Sequence, residues 1–251
     1  MSHGRHAQIL ERLRTTDRVE VRELADALAT SEVTIRRDLD ELASAGVLRR
    51  VRGGAVSTLM RSDELPFGVR EGEAADAKQR IGAAATELLR DGESVIVDSG
   101  TTGVAAARAL VARRLTVMPM SLHAVGILSG SASITLLLAG GEVRPGEMSV
   151  VGPLAERGIA AFRFDTALLT CCGFSTESGA TAPDIRDASV KRAAIESSAR
   201  TIALVDGTKF TRTTLHVICE ATDVDIVVTD TTAPGAEVER LRAAGVEVHC
   251  V

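Results

Sequence analysis

Arg36 and Arg37 are adjacent in the stretch TSEVTIRRDLDEL, residues 30–42, with Ser31, Val33 and Thr34 just before them and Asp38, Asp40 and Glu41 just after. Guanidinium groups make paired hydrogen bonds to phosphate oxygens and suit narrow, negatively charged grooves. A second basic run follows in VLRRVRGGAV, where Arg49, Arg50 and Arg52 have no acid among them and Gly53-Gly54 ends the run. An isolated RR pair on a short helix equally suits a solvated face. The succession of helix, helix, basic helix and basic hairpin instead favours contact with a polyanion.

A different chemistry is offered further on. SVIVDSGTTG runs from an apolar strand into Gly100, Thr101 and Thr102 at a helix start, where free amides, two hydroxyls and the helix dipole can receive a phosphate. An ordinary capped turn has the same composition. Of 29 basic residues only Lys78, Lys191 and Lys209 are lysine, all beyond residue 60, and in so arginine-biased a chain a retained ammonium suits a phosphate or sugar oxygen. Surface solubility is the alternative for any one of them, with Lys209 in VDGTKF the foremost candidate for a ligand role. The chain lacks GxxxxGK[ST], and Gly140-Gly141 lacks dinucleotide-fingerprint spacing. His3, His6, His123, His216 and His249 show no ligand spacing, and Cys171, Cys172, Cys219 and Cys250 form no CxxC pair. Buried free thiols are expected, with neither a metal nor a cofactor.

The positioning elements follow from periodicity. Ile35, Leu39 and Leu42 fall on one stripe of a helix capped by Ser31 and running to about Ala45, which turns Val33 and Arg37 outward with Thr34 and Arg36 on the flanks. The outward surface of its first two turns is basic and hydroxylated, whereas Asp38, Asp40 and Glu41 lie further along, as in a recognition helix entering a groove by its leading turns. Two helices precede it, over RHAQILERLR and VRELADALAT. Residues 58–73 are polar and contain Pro66 and Gly68, so they form a linker. From residue 74 strands such as SVIVD, LTVMP, SITLLLAGG, FDTALLT, TIALVD, DIVVTD and VEVHC alternate with helices, predicting an α/β domain with a mainly parallel sheet and a ligand beyond the strands' carboxyl ends.

These stretches also resemble a known family. VRELADALATSEVTIRRDLDELASAGVLRRVRGGAV is similar to the winged helix-turn-helix of the DeoR family of bacterial transcriptional regulators, through Ser31, Thr34-Ile35-Arg36-Arg37-Asp38-Leu39, Gly46 and Gly53-Gly54-Ala55. Thr30 stands where the family usually has valine, and Arg52 where a histidine commonly precedes the glycine pair. DAKQRIG, DSGTTG, LAGGEVRPGEMSVVGP, FDTALLTCCGFSTESGATAPD, VKRAAI and LVDGTKF resemble the family's effector domain. That domain is similar in fold to ribose-5-phosphate isomerase and the coenzyme A transferases, and in many members it binds a phosphorylated sugar. The resemblance implies that Asp98, Gly100, Thr101, Thr102, Ser121, Gly140, Gly141, Gly173, Lys191, Asp206 and Lys209 surround the ligand, with Lys78 nearby. In MPMSL, residues 118–122, Pro119 and Met120 precede Ser121 where the family commonly reads threonine-asparagine-serine, so one amide side chain is missing.

The expected architecture is α/β: a winged helix-turn-helix at 1–57, a linker at 58–73 and an effector domain at 74–251. Ser31, Val33, Thr34, Arg36, Arg37, Arg49, Arg50 and Arg52 are expected to face double-stranded operator DNA, and a homodimer or homotetramer to present paired modules. No run of about 20 apolar residues and no apolar leader appears, which predicts a cytoplasmic protein without a membrane segment. Three functions compete: a DNA binder switched by a phosphorylated sugar, a DNA binder without effector response, and a sugar-phosphate enzyme. Isomerases of that fold carry an acidic cluster after the strand matching DTALL, where this chain has Thr170-Cys171-Cys172-Gly173-Phe174, so no catalytic residue is assigned.

Overall fold

Apolar spacing builds the first core. Ile9, Leu10 and Leu13 of α1 (Ser2–Thr16) are buried with Leu24 of α2 (Val21–Ala27) and with Ile35, Leu39 and Leu42 of α3 (Glu32–Ser44). The strands β2 (Leu48–Val51) and β3 (Gly54–Ser57) make the basic hairpin, and β1 (Arg18–Glu20) pairs with β3 to give the order β1-β3-β2. A Cβ at Gly54 would stand 1.9 Å from the Val19 carbonyl oxygen, so that ladder requires glycine. Ser31 caps α3 as expected, its Oγ accepting from the Thr34 amide at 3.1 Å.

The computed structural model describes residues 2–16, 18–44, 46–58, 65–210 and 212–251, and the chain divides into two compact units, Met1–Glu73 and Ala74–Val251. The expected helix end at Ala45 and linker positions 59–64 lie outside the described residues. The rest of the linker differs from expectation: Leu65 and Val69 are buried in the first core, with α4 (Phe67–Gly72) against α1. Polar composition masks Leu65, Phe67 and Val69 in the sequence, yet burying three such side chains outweighs it.

The second unit alternates α5 (Ala75–Glu87), β4 (Ser94–Val97), α6 (Thr101–Leu110), β5 (Leu115–Pro119), α7 (Leu122–Leu128), β6 (Ile134–Leu136), β7 (Glu142–Val143), β8 (Val150–Val151), α8 (Pro153–Ala160) and β9 (Thr166–Leu169). It continues through β10 (Gly173–Ser175), β11 (Gly179–Ala182), α9 (Ile185–Glu196), β12 (Thr201–Leu204), β13 (His216–Cys219), β14 (Ile226–Thr229), α10 (Gly235–Ala243) and β15 (Glu247–Cys250). Seven strands form one wholly parallel sheet in the order β15-β14-β12-β9-β4-β5-β6. Both faces are covered: Val95, Val97 and Leu168 pack with α5 and α6, while Ile96, Met118 and Ala167 pack with α8 and α9. Strands buried on two faces read as apolar runs, which is why the alternation was legible.

An antiparallel sheet, β10-β11-β13, and the small hairpin β7-β8 were not. The β11 sequence GATA is buried at every position, so it lacks a period of two, and Gly and Ala have low strand propensity. Phe174, Ala180, Ala182 and Ile218 of this second sheet instead close a core with Val205 and Phe210.

Candidate functional site

In the first unit α3 turns Ile35 and Leu39 fully inward and leaves the Arg37 side chain 82% exposed. Arg36 pairs with Glu32 one turn back, and Arg37 Nε with Glu41 Oε1 at 3.2 Å one turn on. Val33 is exposed, Ser31 and Thr34 are linked through their hydroxyls at 2.8 Å, and Arg49 and Arg52 project from the hairpin without a partner among the described residues. Arg50 is spent within the fold, reaching Asp40 Oδ1 and the Gly54 carbonyl oxygen, each at 2.9 Å, and so ties the hairpin to α3.

The acids after Arg37 are not a solvated run. Asp38 is buried, which corrects its expected place beside Asp40 and Glu41, because at about 100° per residue it borders the apolar stripe on the Leu42 side. Arg5 of α1 grips both its carboxylate oxygens, and His6 Nε2 lies 3.3 Å from Oδ1. Burial opposes its ionisation, but the hydrogen bonds and charge of Arg5, with His6 behind, hold the carboxyl below the usual range. His6, Asp38 and Glu41 thus converge within 4.8 Å although histidine spacing gave no hint of it, and the Arg5 guanidinium already supplies the neutralising cation. Every acid in RRDLDEL is therefore answered locally, leaving the leading turns of α3 net basic outward.

In the second unit the expected residues gather at the carboxyl ends of β12, β9, β4 and β5, adjacent strands whose order reverses between β9 and β4. Such a reversal opens a crevice. Asp98 follows β4: its Oδ1 accepts from the Ser99 amide at 2.7 Å, and its Oδ2 accepts from the Thr170 amide at 2.8 Å and hydroxyl at 2.9 Å and pairs with the Lys191 ammonium. Lys191, from α9, also donates to the Thr170 carbonyl at 3.2 Å and lies 3.5 Å from Asp187. Burial works against its charge, but Asp187 and Asp98 outweigh that and hold the ammonium above the ordinary lysine range. Arg144, from the β7-β8 loop, stands 3.5 Å from Asp187 and 3.4 Å from Asp184.

Gly100 has a φ of +94° as the N-cap of α6, so the Thr101 and Thr102 amides meet no side-chain cap, and neither hydroxyl is bonded among the described residues. After β12, Asp206 Oδ1 caps the Thr208 amide at 3.1 Å, whereas its Oδ2 is buried with no partner among the described residues. Lys209 is buried too, and its ammonium has neither a hydrogen bond nor an ion pair among them. Cys171 is held to a thiol pushed up to about 12 by burial, despite the nearby Lys209 and Lys191 charges.

Other expected residues have structural employment. Ser121 is fully buried and caps α7, accepting from the His123 amide at 3.2 Å, and Met120 before it lies in the core. A Cβ at Gly173 would stand 2.2 Å from the Arg212 carbonyl oxygen, so chain approach alone demands glycine there. Gly140 and Gly141 are exposed in the loop after β6, both with positive φ, and Lys78 is buried on α5. Residue patterns did not single out Ser99, Thr170, Asp187 or Arg144; Asp187, one helical turn before Lys191, carried the only local signal.

Comparison with known proteins bears on both units. A DeoR-like helix-turn-helix domain model matches residues 5–59, and a DeoR C terminal sensor domain model matches residues 73–231. The putative aga operon transcriptional repressor of Escherichia coli O157:H7 is 32% identical over 98% of this chain and 93% of its own length. The glycerol-3-phosphate regulon repressor of Escherichia coli K12 is 31% identical over 92% and 91%. Ribose 5-phosphate isomerase A of Methanocaldococcus jannaschii aligns over 55% of each chain with 14% identity and a TM-score of 0.42. With the sensor match spanning more than half of the chain and relatives running nearly end to end, the protein belongs to the DeoR family of transcriptional regulators.

Proposed function

We propose that this protein is a transcriptional repressor of carbohydrate-metabolism genes that binds operator DNA through α3 and the β2-β3 hairpin and responds to a phosphorylated sugar in the second unit. The observation that carries the DNA half is the inside-out partition of α3. Its aliphatic stripe is sealed in the core, its acids are each paired, and Arg37 projects beside Val33 where a major groove would receive it. Arg49 and Arg52, without a partner among the described residues, suit the flanking phosphates.

The effector half is supported by the orphaned groups after β12. A carboxylate oxygen buried without a partner and, three residues on, a buried lysine whose ammonium has no partner among the described residues are costly unless a ligand completes them. A phosphate answers Lys209, and a sugar hydroxyl donates to Asp206 Oδ2. The α6 amides and the Thr101 and Thr102 hydroxyls add donors at the end of β4, one strand beyond β9, and the Asp98–Lys191 pair braces the floor between them. The relatives named for aga and glycerol-3-phosphate repression support the same ligand class. A single winged module buries only about 600–1,000 Å² on DNA, so the protein acts as a homodimer or homotetramer presenting paired modules.

The test is a mobility-shift titration on the DNA upstream of its own gene, with and without a panel of phosphorylated sugars. Affinity for that DNA above random duplex, reduced by one of the sugars, is expected. Equal affinity for both duplexes would end the repressor reading, and specific binding indifferent to the whole panel would end the effector half alone.

A further inference from the structure

On the outward face of α3, Val33, Arg37, Asp40 and Ser44 succeed one another at helical spacing and, with Arg36 and Glu41, line one shallow open depression. Val33 is the misfit on it. It is 73% exposed, the highest value among the large apolar side chains of the described residues, and it makes no return to the core. A β-branched residue at an exposed helical position also forfeits helix propensity relative to alanine or glutamate. The acids of the depression are already paired, Asp40 with Arg50 and Glu41 with Arg37, and Arg36, Arg37 and the Thr34 hydroxyl flank Val33, so the partner that suits this face is a polyanion that displays an isolated apolar group.

Resting on the DNA-binding reading above, we infer that Val33 is a specificity-determining residue that reads the C5-methyl group of a thymine in the major groove. That methyl is the apolar group a base pair presents there. One turn on, Arg37 spends only Nε on Glu41, and its two terminal amino groups have no partner among the described residues, which leaves the fork for O6 and N7 of a guanine. Four residues of helix advance about 6 Å, less than two base steps of about 3.4 Å. Each operator half-site therefore places a thymine within two base pairs of a guanine, with Val33 on the first and Arg37 on the second.

Deoxyuridine tests this directly, since it removes the methyl group and keeps base pairing. The full-length protein and its Val33→Ala variant are titrated with an operator selected from random duplexes, and with copies carrying a single thymine-to-deoxyuridine change at each position in turn. Wild type should lose about fourfold in affinity at one position of a half-site, the equivalent of about 0.8 kcal/mol for one buried methyl-sized group. Val33→Ala should show the same affinity for both duplexes at that position. The ratio is taken within each protein, so a general loss of binding in the variant cancels. Equal deoxyuridine penalties in the two proteins at every position, or no penalty at any, would overturn the role of Val33 while leaving the repressor reading intact. Failure of the selection to yield any preferred duplex would instead sink the DNA-binding reading.

Discussion

Replacing Lys209 by methionine removes an ammonium and keeps most of its aliphatic stem, which separates charge from packing. Lys209 is only 6% exposed and finds no acceptor among the described residues. A donor in a buried side chain that lacks an acceptor costs up to about 1–3 kcal/mol. Without ligand the variant should therefore be more stable than wild type by up to that amount, raising the melting transition of the larger unit by about 2–4 °C per kcal/mol. Lys191→Met is the matched control: it strands the buried Asp98 charge, while Asp187 keeps Arg144, and breaking a buried pair costs about 3–5 kcal/mol. With a sugar phosphate at about 100 times its dissociation constant, wild type gains about 2.7 kcal/mol, whereas Lys209→Met gains nothing. The chain has no tryptophan or tyrosine, so calorimetry or circular dichroism is the assay rather than intrinsic fluorescence. A ligand-free Lys209→Met protein that melts several degrees below wild type would mean the ammonium is satisfied within the fold, and the argument for a ligand at that position would fall.

Arg37→Ala should weaken operator binding and relax base preference, while Arg49→Ala and Arg52→Ala should weaken all duplexes alike and each flatten the salt dependence by about one unit; unchanged salt slopes would remove the hairpin from the phosphate backbone. Because the folded-state pKa of Asp38 is depressed, its contribution is present above the ordinary carboxylate range and is lost as pH falls through the folded value, so Asp38→Asn should flatten the acid limb of the first unit's melting profile below about pH 4. Profiles of equal steepness would show that Arg5 does not hold the carboxylate ionised. Cys250 is exposed, while Cys171 and Cys219 are buried with thiols pushed up to about 12, chiefly by burial; at neutral pH a thiol reagent should label Cys250 and spare those two, and rapid modification of Cys171 would contradict the packing around β9 and β13.

What the sequence determined by itself is whatever a local period encodes. The 3.6-residue stripe of Ile35, Leu39 and Leu42 already fixed which side of α3 carries Val33 and Arg37, and the apolar runs from SVIVD to DIVVTD already implied a mainly parallel sheet with Asp98, Ser121 and Asp206 at strand ends. Tertiary structure alone decided what those side chains meet. Asp38 passes for a surface acid until α1 brings Arg5 from 33 positions away, and Lys191 becomes the partner of Asp98 across 93 positions only because α9 packs beside the switch between β4 and β9. The same holds for Leu65 and Val69, hidden in a polar stretch until they joined the first core, and for β11, whose uniformly buried GATA has no alternation to display. An element's own periodicity reports which face is apolar, but an ion pair or a shared core depends on which elements meet, and that is set by the global packing of many faces at once.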